Sequence, residues 1–369
     1  MRHIMNRVRA ITIISILSYS IILTLCCSCN TIAYDSVEIS YLNPIDNIKL
    51  AGTITIPKVD KRIPAVLLIQ GSGPHDRNEE VYGHKPFETI ADYLSSKGIA
   101  VLRMDRRGCG KSGGIYSDLD LDNYIQDAIY GVDFLKSYPN IDTNRIGLIG
   151  HSLGGLIAAL VSGKTNDVAF IISCAGPGIW GKDIVFSQNK LWAELSGAQA
   201  KDIENIKTLS YRWYELVTQD YVKQEETDEF TQLYIRLSEY MSDDLRPIFF
   251  PGPADKALMY FRSPQYKDAL QIDPLTAWKN VRCSVLAING SKDYQVASKD
   301  NLDGIRKGLE EGGNTRFQMV ELKNHNHMFQ RTENGNPTEV PKLKESFSPI
   351  VLDLMVNWIE SYDKELRNE

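Results

Sequence analysis

The sequence is short of several things, and each shortage excludes a class of protein. It has 6 cysteines in 369 residues. Three of them, Cys26, Cys27 and Cys29, crowd into one N-terminal cluster. Cys109, Cys174 and Cys283 remain, widely spaced and odd in number, which argues against a disulfide framework. No Cys-x-x-Cys spacing offers a redox or metal knuckle. Cys174 and Cys283 lie in apolar runs and read as buried hydrophobes. Positive charge is also scarce, with 41 Lys+Arg against 47 Asp+Glu and a net charge of -6. Arg2, Arg7 and Arg9 lie in a thirty-residue start that holds no acid, so the rest of the chain is more acidic still. A phosphate backbone needs a basic surface, so the acidic balance argues against nucleic acid as a partner. No apolar run reaches the ~20 residues that span a bilayer. There is no internal repeat and no low-complexity segment. What is there, 43% apolar and 24% charged residues, is the composition of an ordinary globular protein.

The start of the chain stands apart. After the basic residues comes an apolar run, Ile11 to Leu25, interrupted only by Ser, Thr and Tyr. That is the pattern of a secretory signal peptide. Leu25-Cys26-Cys27-Ser28-Cys29-Asn30 follows and resembles the cleavage box of bacterial lipoproteins, in which a Cys after small residues takes the lipid. Residues 1–29 are therefore read as a signal peptide of lipoprotein type, with membrane attachment through a lipidated Cys29. Cys26 stands three places before Cys29, where that box has Leu. Ordinary cleavage near Ala33, giving a periplasmic or secreted protein, is the competing reading. Both make it an exported protein, and the lipid-anchored reading places it in the cell envelope.

From residue 34 onward the pattern alternates. Val37 to Leu42 and Lys49 to Ile56 read as an antiparallel hairpin. Pro64 to Ile69, Ile99 to Met104, Ile146 to Ile149 and Val168 to Ser173 are short apolar runs of the kind that parallel strands need. Between them fall amphipathic helical patterns, one opened by Pro86 and closed by Gly98, another running from Leu121 to Leu135. From Gly176 to Trp278 the strands stop. That stretch carries Trp180, Trp192, Tyr211, Trp213, Tyr214, Tyr221, Tyr234 and Tyr240 and reads as several inserted helices. The strand rhythm returns with Val281 to Asn289 and Thr315 to Leu322, and a helix around Phe347 to Trp358 closes the chain. The expected organisation is a core of residues 34–175 and 279–369, with a helical cap at 176–278. The fold class is α/β, a mostly parallel sheet with helices on both faces. In such sheets ligands bind beyond the carboxyl ends of the strands. The loops after Ile69, Met104, Ile149, Asn289 and Leu322 should therefore converge.

The chemistry centres on Gly150-His151-Ser152-Leu153-Gly154, a Gly-x-Ser-x-Gly between a buried strand and a buried helix. A strand that turns sharply into a helix brings its ends very close, and only glycine tolerates that approach. The Ser at the apex is strained and exposed, which is where this turn places a nucleophile. A Ser hydroxyl needs a base, and the base needs an acid to orient it. Asp293, in Gly290-Ser291-Lys292-Asp293, follows one strand. His325 and His327 follow the last, and spacing alone does not choose between them. A His325–His327 metal pair lacks a third ligand with sensible spacing. The oxyanion formed on attack needs two donors. These are expected to be the backbone amides of Leu153 and of Ser72, the latter flanked by Gly71 and Gly73. Gly108-Cys109-Gly110-Lys111-Ser112 is not a phosphate loop, because Asp105 stands where its first glycine is required. Asp105, Arg106 and Arg107 are expected to brace that turn by local hydrogen bonds.

These motifs together resemble the α/β-hydrolases of the bacterial esterase and dienelactone-hydrolase-like group. Gly-His-Ser-Leu-Gly-Gly matches the group's elbow. Gln70 to Glu79 matches its oxyanion loop, Met104 to Ser112 the turn after the next strand, and Asn289 to Asp293 its acid loop. Asn326-His327-Met328-Phe329-Gln330 matches its histidine loop, which points to His327. Lys323-Asn324-His325 departs from the group's usual approach to that loop and leaves His325 a small claim. The resemblance implies a serine esterase that cleaves carboxylic esters of small molecules without a cofactor. Ser152 would attack, His327 would carry the proton and Asp293 would orient it. A peptidase or amidase using the same triad is the nearest alternative. A non-catalytic binding lipoprotein is the alternative from another class. Oligomeric state is left open.

Overall fold

The computed structural model describes residues 31–219 and 223–368. The predicted signal peptide, with Cys29, and Tyr221 lie outside the described residues. The chain opens with the expected hairpin, β1 (Tyr34–Asn43) and β2 (Ile48–Pro57), whose strands pair antiparallel. There follow β3 (Ile63–Ile69), α1 (Pro86–Ser96), β4 (Ala100–Met104), α2 (Leu121–Lys136), β5 (Ile141–His151), α3 (Leu153–Lys164) and β6 (Phe170–Cys174). Among the described residues, seven helices then succeed one another without a strand. They are α4 (Gly181–Leu195), α5 (Ile203–Thr218), α6 (Gln224–Ser238), α7 (Arg246–Phe249), α8 (Ala254–Phe261), α9 (Pro264–Gln271) and α10 (Pro274–Lys279). The chain ends with β7 (Ser284–Gly290), α11 (Ser298–Glu311), β8 (Phe317–Leu322) and α12 (Pro349–Asn368).

All eight strands join one sheet in the order β1-β2-β4-β3-β5-β6-β7-β8. The hairpin joins antiparallel through β2 and β4, and the other pairings are parallel. The two-residue period of the strands decides which side chain goes to which face. Along β3, Ala65, Leu67 and Ile69 meet α2 and α3, while Val66 and Leu68 meet α1 and α12. Both faces are thus covered, which is why β3, β4 and β7 are buried along their whole length. The outer strands β1 and β8 keep exposed positions. The seven consecutive helices have an apolar core of their own, built on Trp213, Leu216, Phe230, Tyr234 and Leu237.

Candidate active site

The carboxyl ends of β3, β5, β7 and β8 open on one cavity of about 330 Å³. At the end of β5 the chain turns directly into α3, and Ser152 is the turn. Its φ of 52° and ψ of -124° are a conformation that glycine prefers and that costs another residue about 1–3 kcal/mol. Two contacts make that turn obligatory. A Cβ at Gly150 would collide with the Gly154 carbonyl, and one at Gly154 with the Ile69 carbonyl. The Ser152 amide donates to the Cys174 carbonyl at 2.8 Å, so the backbone is held while the side chain faces the cavity.

Asp293 follows β7. Its Oδ1 accepts the amides of Gln295 and Val296 at 2.7 and 2.8 Å, and its Oδ2 lies 2.8 Å from His327 Nδ1. Both side chains are almost wholly buried, 0% exposed for Asp293 and 4% for His327. His327 sits in a turn that Asn326 folds, its Oδ1 accepting the Met328 and Gln330 amides. With Nδ1 committed, Nε2 is the nitrogen left to face the cavity. Among the described residues no hydrogen bond joins Ser152 Oγ to His327. The two side chains share the cavity wall, and such bonds are often open in ligand-free sites.

Spacing left two histidines open, and the structure separates them. His325 turns away, its Nδ1 2.9 Å from the Lys323 carbonyl and its Nε2 3.0 Å from Ser348 Oγ. The Lys292 amide donates to the His325 carbonyl at 2.9 Å and ties the two loops together.

Ser72 and Leu153 also border the cavity. Among the described residues, no acceptor outside the Leu153 helix takes up either backbone amide. The loop carrying Ser72 is fastened from behind. Arg106 donates to the carbonyls of Gln70, Gly71 and Gly73, and to the Tyr124 hydroxyl at 2.6 Å. Its guanidinium also stacks 4.3 Å over the Tyr124 ring. The expectation of purely local bonds after β4 is thus corrected. Lys111 N does donate to Asp105 Oδ2, but Asp105 also takes the Arg77 fork, and Arg107 pairs with Asp46 and Asp127. A long guanidinium reaches acceptors that its own turn does not offer. The loop after β4 therefore supports the site without lining it.

Sequence reasoning missed two more groups. Glu79 and His151 both border the cavity, with Glu79 Oε1 3.1 Å from His151 Nδ1. Glu79 lay inside a recognised loop, and His151 inside the elbow motif, but no spacing rule pairs them. Nor did the sequence mark Tyr260, Phe261 and Tyr266, which form the far wall with Trp192.

A profile of the Alpha/beta hydrolase family matches residues 66–340. Over 313 residues the chain is 26% identical to "Esterase EstD" of Thermotoga maritima, an alignment that takes in 84% of this chain. It takes in 65% of that esterase, so the chain spans less than two thirds of the length of the relative it matches. The α/β-hydrolase GrgF of Penicillium superposes with a TM-score of 0.53 at 17% identity, over 89% of this chain and 99% of that one. The Pyrococcus furiosus esterase PF2001 does so with a TM-score of 0.51 at 18% identity, over 90% and 91%. At these identities the two structures speak to the fold alone. The sheet order, the serine elbow and a family match over more than half of its length make this chain a member of the alpha/beta hydrolase family.

Proposed function

We propose that the protein is a serine esterase that cleaves small, uncharged, apolar carboxylic esters. Ser152 Oγ attacks the ester carbonyl as His327 Nε2 takes its proton, and the oxyanion settles against the Leu153 and Ser72 amides. The tetrahedral intermediate collapses, His327 gives its proton to the leaving alkoxide, and an acyl-enzyme remains. Water, deprotonated by His327, then releases the acid. Asp293 keeps Nδ1 protonated, so that Nε2 is the basic nitrogen.

The observation that carries this reading is the buried 2.8 Å pair of Asp293 and His327 on the same cavity as a strained Ser152. The substrate class rests on the opposite wall. Ile184, Trp192, Phe261, Leu270 and Ile272 are apolar, and among the described residues no charged side chain borders the cavity from α4 to α10. At about 330 Å³ the cavity is near the small end of ligand pockets, roughly 300–1,000 Å³.

The test is a panel of p-nitrophenyl esters of graded chain length beside matching anilides. We expect turnover of short and medium esters, little of the anilides, and none by Ser152→Ala, which should still melt like the parent. Equal turnover by Ser152→Ala would overturn the mechanism, and anilide preference would overturn the substrate class. We further propose that the protein is exported and anchored in the cell envelope through lipidated Cys29. Palmitate labelling of the full chain and of Cys29→Ala tests that, and equal labelling of the two would reject it.

A further inference from the structure

The pair formed by Glu79 and His151 has no role in the reaction just described. Glu79 is 2% exposed and lies midway along the loop after β3, held at a φ of 51°. Its Oε1 accepts the Gly71 amide at 2.6 Å and lies 3.1 Å from His151 Nδ1. The other ring nitrogen, Nε2, lies 3.0 Å from the His327 carbonyl. Both ring nitrogens thus face oxygens that only accept, a carboxylate and a carbonyl. A neutral imidazole has a single N–H, and only imidazolium has a proton for each side. A buried carboxylate also demands a compensating charge. The carboxylate sits off the Nδ1–H direction, so neither His151 Nδ1 nor Glu79 Oε2 has a hydrogen-bond partner, and charge rather than alignment holds the pair.

The pair touches three segments that must stay in register. Gly71 precedes Ser72, His151 precedes Ser152, and His327 is the proposed base. The carboxylate is also close to the reacting centre. A Cβ built at Gly71 would stand 3.0 Å from Ser152 Cβ and 3.1 Å from Glu79 Oε1. An uncompensated anion there would oppose the negative charge that develops on the substrate oxygen.

We propose that Glu79 and an imidazolium at His151 are positioning residues that lock the oxyanion loop, the elbow and the histidine loop in register. The imidazolium also cancels the carboxylate's charge beside the oxyanion. This rests on the Ser152 mechanism proposed above. His151 is faced by Glu79 from the oxyanion loop, by the His327 ring at 4.8 Å, and by Asp293 beyond it. Glu79 is faced in turn by His75, Arg106, Tyr124 and Cys174. Burial pushes the His151 ring down, but Glu79 outweighs it and raises the ring above the usual histidine range. The same contact offsets the upward push of burial on Glu79 and holds it below the usual carboxylate range. Glu79 therefore favours the charged form of the ring, which gives up its proton at higher pH than an ordinary histidine.

Glu79→Gln keeps an oxygen for the Gly71 amide and removes the charge. Its pH–rate profile on p-nitrophenyl butyrate is measured beside those of the parent and Ser152→Ala. The rate of labelling by a fluorophosphonate is followed in parallel. We expect kcat to fall roughly 10²-fold with little change in KM, as a small misplacement does. Labelling should slow in step. The alkaline fall in activity should move to lower pH, because the ring has lost its counter-ion. A lower melting point with an unchanged kcat and an unchanged profile would make the pair merely structural and overturn the proposal. Should Glu79→Gln fail to fold, ¹⁵N-histidine spectra of the parent decide. The His151 ring, assigned through its contact with His327, must carry two protonated nitrogens at pH 7.5, and a neutral tautomer refutes it. If Ser152→Ala turns over like the parent, the esterase mechanism falls. If Ser152→Ala is dead and Glu79→Gln is normal, only the positioning role falls.

Discussion

Asp293 commits its carboxylate to two backbone amides and one imidazole nitrogen, which fixes its rotamer as well as its partner. Asp293→Asn keeps the size but offers His327 an amide, which favours the wrong tautomer. We expect kcat for ester cleavage to fall on the order of 10⁴-fold with the fold intact. A loss of only a few-fold would show that Asp293 does not orient the base. His325→Gln is the contrasting case. It disturbs the bonds to Ser348 and Lys323, so it should cost about 1 kcal/mol of stability and leave kcat near that of the parent. Ser152 and Asp293 could be singled out because each lies in a local motif after a strand, and His327 because the family's histidine loop favoured it over His325. Glu79 was not, because a carboxylate in a polar loop reads as solvated. Its burial follows from where His151 and the Gly71 amide come to lie. Arg106 was hidden likewise, since three of its four acceptors are backbone carbonyls more than thirty residues away.

At the scale of elements, apolar periodicity told strands from helices well. Strand ends were less legible, and β5 begins at Ile141, five residues before the run that announces it. The reason is that Asp142 to Arg145 are polar and partly or fully exposed, yet the buried Ile141 before them pairs with Ile63 across the sheet. The helices from α4 to α10 were legible as helices, but which of their aromatics face the cavity was not. Most of those singled out from the sequence pack the helices together, as Trp213 and Tyr234 do. Trp192 does both. Its ring stacks on Phe249 at 4.2 Å, its Nε1 donates to the Tyr294 carbonyl at 2.7 Å, and it borders the cavity. Trp192→Ala should lengthen the preferred acyl chain and destabilise the protein by up to about 3 kcal/mol. An unchanged chain-length profile would remove Trp192 from the selecting wall.

At the scale of the whole molecule, charged side chains bind the edge hairpin to the rest of the sheet. Arg77 forks onto Asp105 and reaches Glu38 on β1, and Lys111 reaches Glu38 from the other side. The Lys111 contact, with Thr53 and Arg77, brings the Glu38 carboxyl down to about 2. Burial pushes Asp105 up, but Arg77 and the Lys111 amide hold it below the usual carboxylate range. A carboxylate with a lowered pKa stabilises the fold above its unfolded value and loses that contribution as pH falls through its folded value. The melting temperature should therefore decline as pH drops from about 4.5 to about 2. Calorimetry across that range should show a smaller decline in Arg77→Met, and an identical decline would exclude this network as the cause. One arrangement reaches beyond stability. The reacting rim is drawn from strand ends, whereas the facing wall is drawn from α4 to α10. A lineage can thus rewrite what it accepts by drift in one stretch of chain while the bond-breaking apparatus is inherited untouched. Diversification of diet and conservation of chemistry are, in this molecule, separately heritable.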